Sequence, residues 1–499
     1  LQAFHDKISS LGFLDPACGC GNFLVVAFRE LKDLELKVLQ ALRADDPKFL
    51  LLNVNLITKV NIDQFYGIEI EEFPAEVARV SMWLMEHVMN VKFGKSLGCV
   101  FPSIPLRHSA TIVRANALTI PWESVVTPGA LHFIFGNPPF VGHQWRNQKQ
   151  QDDMIHVYKS GNFGKLDYVC CWYQKAIDYI GRAPINIAFV STNSIVQGES
   201  VSIMWKPIFE RGFEITFAHT SFIWKNEARG KAAVHCVIVG IAQKGNVKAK
   251  RIYGQGGSKD VDNINGYLLS APNVFIQSRG KPLSSGMPIM SKGSQPTDGG
   301  NLILSVAEAN NLISTYPQTA KWIMRYMSSN DYINNNIRFC LWLTAVNSNE
   351  YCSLPPIVDR LNKVVECRKK SRTASVRRDS EIPMFFTQIR QPKSKFLAIP
   401  EVSSSRRHYI PIGYLNPSII ASNKLYIVPN ATLFLFGVLI SAIHMVWMRT
   451  VCGRLKSDYS YSPAAYNTFP WPATNEKQRQ HIESLAQKVL DVRENYPDL

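Results

Sequence analysis

Through the first 245 residues, short apolar runs alternate with segments of helical period. A strand covered on both faces reads as one apolar run, and the helix that crosses to its parallel neighbour reads with a period of 3.6, so this alternation predicts an α/β sheet. The candidate strands are Leu11–Leu14, Phe65–Glu69, Thr111–Arg114, His132–Phe135, Ile185–Ser191, Glu214–Ala218 and Val234–Ile241. After the second run, Pro74 suits a first helical turn, and Val77, Val80, Leu84 and Val88 recur at helical spacing. A further helix is expected over residues 167–180.

The first run ends in Leu14-Asp-Pro-Ala-Cys-Gly-Cys-Gly-Asn-Phe-Leu24. Gly19 and Gly21 carry no side chain, so the backbone can approach a ligand closely at a strand–turn–helix junction. No third glycine completes a dinucleotide fingerprint, and a pyrophosphate gains little from the carboxylate of Asp15. A cofactor bearing an amino acid suits that acid better, because Asp15 can accept from an ammonium group. The second run ends in Gly67-Ile-Glu69, where an acid is placed to meet ribose hydroxyls; Glu71 is the reserve. Glu69 stands far from the first turn, which requires an inserted segment around residues 31–62. At the end of the third run, Asn116 is expected to pair with a cofactor base through its amide.

The fourth run leads into Gly136-Asn-Pro-Pro-Phe140. An amine conjugated to a ring is a poor nucleophile because its lone pair is delocalised. The Asn137 side-chain oxygen and the Pro138 carbonyl can accept its hydrogens and localise that pair. Pro138 and Pro139 stiffen the backbone that holds these acceptors, and Phe140 offers a face for stacking. His143 and Trp145 are candidates for the entrance or, equally, for packing of the loop, and Phe222 or Trp224 for a second wall. Trp172 and Tyr173 are expected in the core. No cluster of His, Cys or acids suggests a metal site.

Beyond Gly245 the chain turns polar and Gly-rich, and a boundary is expected there. Arg360, Lys363, Arg368, Lys369, Lys370, Arg372, Arg377 and Arg378 then fall within nineteen residues, and Arg390, Lys393, Lys395, Arg406 and Arg407 follow. A formal charge of +16 suits a polyanionic partner, so this stretch is a candidate phosphate-contacting surface as well as a solvated face. Residues 432–448 are nearly all apolar but too short to span a bilayer; a buried core helix is expected, not a membrane span. A polar helix is expected over residues 475–493. Asp33, Glu35 and Lys37 mimic a nuclease triad but sit in a helical pattern and are expected on a solvated face. Scattered cysteines fit a reducing cytoplasm.

The order DPACGxGxF, GIE and NPPF, followed by a large second region, resembles the gamma-type amino-methyltransferases of DNA. More closely, the chain resembles the MmeI-like branch of single-chain restriction–modification enzymes. Supporting strings include LDPACGCGNFLVVAFRE, FGNPPFVG, HYIPIGYL and CGRLKSDYSYSPAAYNTFPWP. The resemblance implies a class I methyltransferase fold, Rossmann-like with a mostly parallel seven-stranded sheet, over residues 1–245. A mixed α+β target-recognition domain over 246–430 and a C-terminal helical segment over 431–499 are expected to follow. It implies S-adenosyl-L-methionine as cofactor, bound by Asp15, Ala17, Gly19, Gly21, Phe23, Glu69 and Asn116. It implies double-stranded DNA as partner, with an adenine flipped to Asn137, Pro138, Pro139 and Phe140 and methylated at N6. Such enzymes also carry an N-terminal nuclease domain, and since Leu1 is not a start methionine, one is expected in the parent chain. The alternatives are a methyltransferase of a protein glutamine amide or an RNA base amine, and an inactive DNA-specificity module.

Overall fold

The computed structural model describes residues 1–45, 58–98, 109–159, 161–224, 234–344, 346–455 and 457–496. They form two compact units, Leu1–Phe275 and Ile276–Leu499.

The first unit is built on one sheet. Its strands are β1 (Phe13–Asp15), β2 (Phe65–Glu69), β3 (Thr111–Arg114), β4 (Phe133–Gly136), β5 (Asn186–Thr192), β6 (Phe213–Trp224), β7 (Val234–Gln243), β8 (Lys250–Gly254) and β9 (Gly257–Val261), in the order β3-β2-β1-β4-β5-β7-β6-β8-β9. The first seven match the expected runs, with β7 antiparallel to both neighbours. The last two are additional: the hairpin β8–β9 extends the sheet beyond Gly245, and the unit continues to Phe275. Phe13 is in register with Phe65 on one side and Phe133 on the other, and the Phe13 ring stacks on them at 4.7 and 5.3 Å. This register brings the carboxyl ends of β1, β2 and β4 level with one another. On one face Leu14, Ile68 and Ile134 join Trp122, Tyr173 and Trp205 in the core; on the other Phe13 and Phe65 pack with Leu24, Phe28 and Met82.

Helices α1 (Gln2–Ser9), α2 (Asn22–Asp45), α3 (Glu72–Leu97), α4 (Gln148–Tyr158), α5 (Cys170–Ile180) and α6 (Gly198–Glu210) accompany this sheet. In α3, the row that announced the helix is not the row that packs. Val80, Leu84 and Val88 are exposed, and Ala75, Ala78, Met82 and Met89 are buried. The alanines let the helix come close to the glycine turn: a Cβ on Gly21 would lie 3.1 Å from that of Ala78. The segment expected to fill 31–62 is in part α2, and residues 46–57 lie outside the described residues. Helix α2 also corrects the solvated face expected around Glu35. That side chain is fully buried, accepting from His5 Nε2 at 2.9 Å, Lys32 Nζ at 2.8 Å and Val60 N–H at 3.0 Å. Burial pushes its carboxyl up, but His5 and Lys32 outweigh that and hold it below its ordinary value.

Among the described residues, the second unit carries three small sheets. One runs Ser291–Lys292, Leu425–Pro429, Phe396–Pro400, Gly413–Leu415, and it packs with α8 (Leu433–Leu439), α9 (Ala442–Val451) and α10 (Glu476–Glu494). The expected single helix over 432–448 is therefore two, bent by 58°, because the Ser441 hydroxyl caps a new start by accepting from the N–H of His444. Among the described residues no single helix is long and apolar enough to cross a membrane. The basic run lies largely on α7 (Pro355–Lys369) and just after it, with one correction: Arg368 is fully buried and belongs to the core of this unit.

Candidate active site

At the end of β1 the chain turns through Gly19 and Gly21, whose φ values of 53° and 83° belong to the left-handed region open to glycine. The turn is tied to its neighbours by Cys18 N–H donating to the Ile68 carbonyl at 3.1 Å and Gly19 N–H donating to Glu69 Oε2 at 2.9 Å. The other oxygen of Glu69 accepts from Glu71 N–H at 2.9 Å. Glu69, not Glu71, thus faces the turn.

Asp15 is buried and accepts from Ala17 N–H at 3.0 Å. Burial pushes its carboxyl up to about 7, the Ala17 N–H opposes this, and the charge on Glu69 adds to the rise. The neighbouring strand gives it room only because residue 136 is glycine: a Cβ there would lie 2.4 Å from Asp15 Oδ1. Gly136→Ala is accordingly expected to destabilise the first unit by about 1–3 kcal/mol through overpacking, measured by thermal unfolding.

A cavity of about 740 Å³ opens beside this turn. Its wall includes Ala17, Glu69, Asn116 and Pro139, so the ends of β1, β2, β3 and β4 all contribute. Phe23 stands outside this wall, its ring 6.4 Å from that of Phe135. Asn116 reaches the cavity, but its amide is engaged: Oδ1 accepts from Leu118 N–H at 2.9 Å and Nδ2 donates to Asp153 Oδ1 at 3.0 Å.

At the end of β4 the Asn137 side-chain oxygen is buried and has no hydrogen-bond partner among the described residues. Phe140 is half-buried and packs on the main core of the unit. The loop is braced just after it. Val141 N–H donates to Asp167 Oδ1 at 3.0 Å, and the Val141 carbonyl accepts from Tyr168 N–H at 3.0 Å. Asp167 Oδ2 accepts from the Thr192 hydroxyl at 3.1 Å, which links the loop to the end of β5. Trp172, expected in the core, is buried and also lines the cavity, donating from Nε1 to the Pro16 carbonyl at 3.1 Å. Trp145 is 83% exposed and lies outside the cavity wall. Phe222 and Trp224 form a separate aromatic group on β6 with rings 6.1 Å apart. Asp153, Asp167 and Tyr168 carry no motif and were not legible as site residues.

Two family models match the chain: the MmeI DNA-methyltransferase domain over residues 1–254 and the MmeI target recognition domain over residues 270–473. DNA methyltransferase A of Bacillus subtilis (strain 168) is 36% identical over 499 residues, which cover 99% of this chain and 56% of that protein. A putative type II restriction enzyme and methyltransferase of Methanocaldococcus jannaschii is 30% identical over 84 residues, 17% of this chain and 7% of that protein. Among solved structures, the type IIL restriction–modification enzyme MmeI in complex with DNA superposes with a TM-score of 0.94 at 43% identity, over 100% of this chain and 67% of that one. The chain therefore spans little more than half the length of the first of these relatives.

Proposed function

The chain belongs to the MmeI family of DNA methyltransferases with a target recognition domain, and from that premise we propose that it methylates adenine N6 in duplex DNA. The methyl donor in this reading is S-adenosyl-L-methionine, and the setting is restriction–modification. The observation that carries it is the buried, unpartnered side-chain oxygen of Asn137, two residues before Pro139 in the cavity wall. A buried acceptor without a donor calls for an explanation, and an incoming amine supplies one.

The residues present fit the cofactor. Asp15 precedes a turn whose Gly21 leaves no room for a side chain against Ala78, and Ala17 and Glu69, at the ends of neighbouring strands, line one cavity. When bound, the cofactor supplies a methyl group on a sulfonium. Asp15 accepts from its ammonium, and Glu69 meets the ribose hydroxyls. Ala17, Gly19 and Gly21 keep the backbone close, with Phe23 and Asn116 supporting the turn and the base end. Asn137 Oδ1 and the Pro138 carbonyl accept the two hydrogens of the flipped adenine amine and localise its lone pair. Pro139 holds that backbone, and Phe140 stacks on the base. The first unit, Leu1–Phe275, carries the chemistry, and within the second, residues 276–430 read the duplex with residues 431–499 packed against them. Exposed Lys369, Lys370, Arg372 and Arg378 suit contacts with phosphates.

The test is transfer of labelled methyl from the cofactor to unmodified duplex DNA, followed by nucleoside analysis. N6-methyladenine at a defined site is the expected product. Label in protein or RNA, with none in DNA, sinks the reading.

The state of Asp15 adds a pH dependence. Its carboxyl must be ionised to hold the ammonium, so the complex binds fewer protons than the free protein at acid pH. Affinity for S-adenosylhomocysteine is expected to rise by up to about tenfold per pH unit as pH climbs towards about 7, and to level off above it. Titration calorimetry from about pH 5.5 to about 8 reads this. A flat profile removes Asp15 from the ammonium.

A further inference from the structure

We propose that Asp153, and not Asn116, accepts the exocyclic amine of the cofactor's adenine, and that Asn116 and Tyr168 hold its carboxylate in place. This deepens the reading of the cavity as a cofactor site and rests on it.

The order of strands lays out the ligand. Along β4, β1, β2 and β3 the strand ends present Asn137, then Asp15, then Glu69, then Asn116. A methyl donor placed with its ammonium at Asp15 and its ribose at Glu69 therefore has its base at the end of β3. There the cavity wall includes the apolar Ile68, Ala115 and Ala117 and the polar Asn116, Asp153 and Tyr168, with Lys149 and further polar residues from the start of α4.

An amine on a purine ring is a donor and needs an acceptor. The oxygen of Asn116 is already held by a backbone donor and carries no charge, so it is a weaker acceptor than the Asp153 carboxylate. Leu118 N–H is a donor, so the atom 2.9 Å from it must be the amide oxygen. That fixes the amide and aims Nδ2 at Asp153 Oδ1, 3.0 Å away. The Tyr168 hydroxyl donates to Asp153 Oδ2 at 2.5 Å. Each carboxylate oxygen thus takes one donor from the protein and keeps capacity for another. Asp153 is half-buried on α4, whereas Asp152 beside it is exposed and accepts from Gln148 at 2.9 Å. A carboxylate braced from both sides discriminates an amine from a carbonyl oxygen, which it repels.

The test is Asp153→Asn in the whole chain, with calorimetric binding of S-adenosylhomocysteine and of its 6-oxo counterpart, S-inosylhomocysteine. The unsubstituted protein is expected to prefer the amino form by at least about tenfold, as a charge-assisted hydrogen bond allows. Asp153→Asn is expected to lose at least about tenfold for the amino form and to gain for the 6-oxo form, because an amide can offer its N–H to that oxygen. Tyr168→Phe, which loosens the carboxylate and leaves it charged, is expected to weaken the amino form only a few-fold and keep the preference. Retention of the full preference in Asp153→Asn overturns the assignment. An equal loss for both ligands overturns it too, since that is the signature of a merely structural residue. Failure of the unsubstituted protein to bind either form instead overturns the reading of the cavity on which this rests.

Discussion

Asn137→Ala is expected to lower methyl transfer to DNA by at least about a hundredfold while leaving affinity for S-adenosylhomocysteine within about twofold. The two readouts separate because the two sites use different strand ends. The groups proposed for the cofactor lie at the ends of β1, β2 and β3 and on α4, and the proposed amine acceptor lies after β4. The side-chain oxygen of Asn137 is buried, yet nothing among the described residues donates to it. Its loss therefore breaks no hydrogen bond to that oxygen among the described residues. It removes an acceptor whose pull on the amine strengthens as the nitrogen becomes tetrahedral, so the cost falls on the transition state. Asn137→Asp tests the same point from the other side, since a carboxylate still accepts and should retain measurable transfer. Loss of cofactor affinity in Asn137→Ala would falsify the role assigned to this residue.

The two motifs were legible because each is a local backbone requirement. The turn after β1 needs left-handed residues at 19 and 21, and the turn after β4 needs two prolines and a small residue facing Asp15; both demands are written in consecutive letters. The strands were legible because seven apolar runs sit in a buried sheet. What escaped depends on distance in sequence. Asp153 reaches Asn116 across 37 residues and Asp167 reaches Val141 across 26, and neither stands in a string that marks it. The outward row of α3 misleads because that helix is apolar on two sides, and only the approach of Ala78 to Gly21 decides which side packs. The hairpin β8–β9 reads as polar because its residues are largely exposed at the sheet edge. In the basic run, composition treats every cation alike, and burial singles one out.

That cation carries the second large effect. Arg368→Met is expected to destabilise the second unit by at least about 4 kcal/mol, a large fraction of the ~5–15 kcal/mol that holds a domain together. All of its nitrogens are spent on backbone carbonyls: Nε on Thr297 at 3.0 Å, Nη1 on Asp379 and Ile382 at 2.9 and 3.1 Å, and Nη2 on Pro296 and Phe385 at 2.8 and 2.6 Å. The guanidinium thereby joins α7 to two segments that share no regular structure with it. Methionine fills much of the space but leaves five carbonyls without this donor, and each such loss costs about 1–3 kcal/mol where the carbonyl is buried. Arg368→Lys keeps the charge and should fare little better, because three donors on one nitrogen cannot reach five acceptors arranged for a planar fork. Lys369→Ala and Lys370→Ala, one and two positions on, are exposed and should shift stability by no more than about 0.5 kcal/mol. Thermal unfolding monitored with and without S-adenosylhomocysteine distinguishes the units, since the first should keep its ligand-dependent transition in every variant. If Arg368→Met and Arg368→Lys unfold with the unsubstituted protein, Arg368 is one more surface cation and the packing described for α7 is wrong.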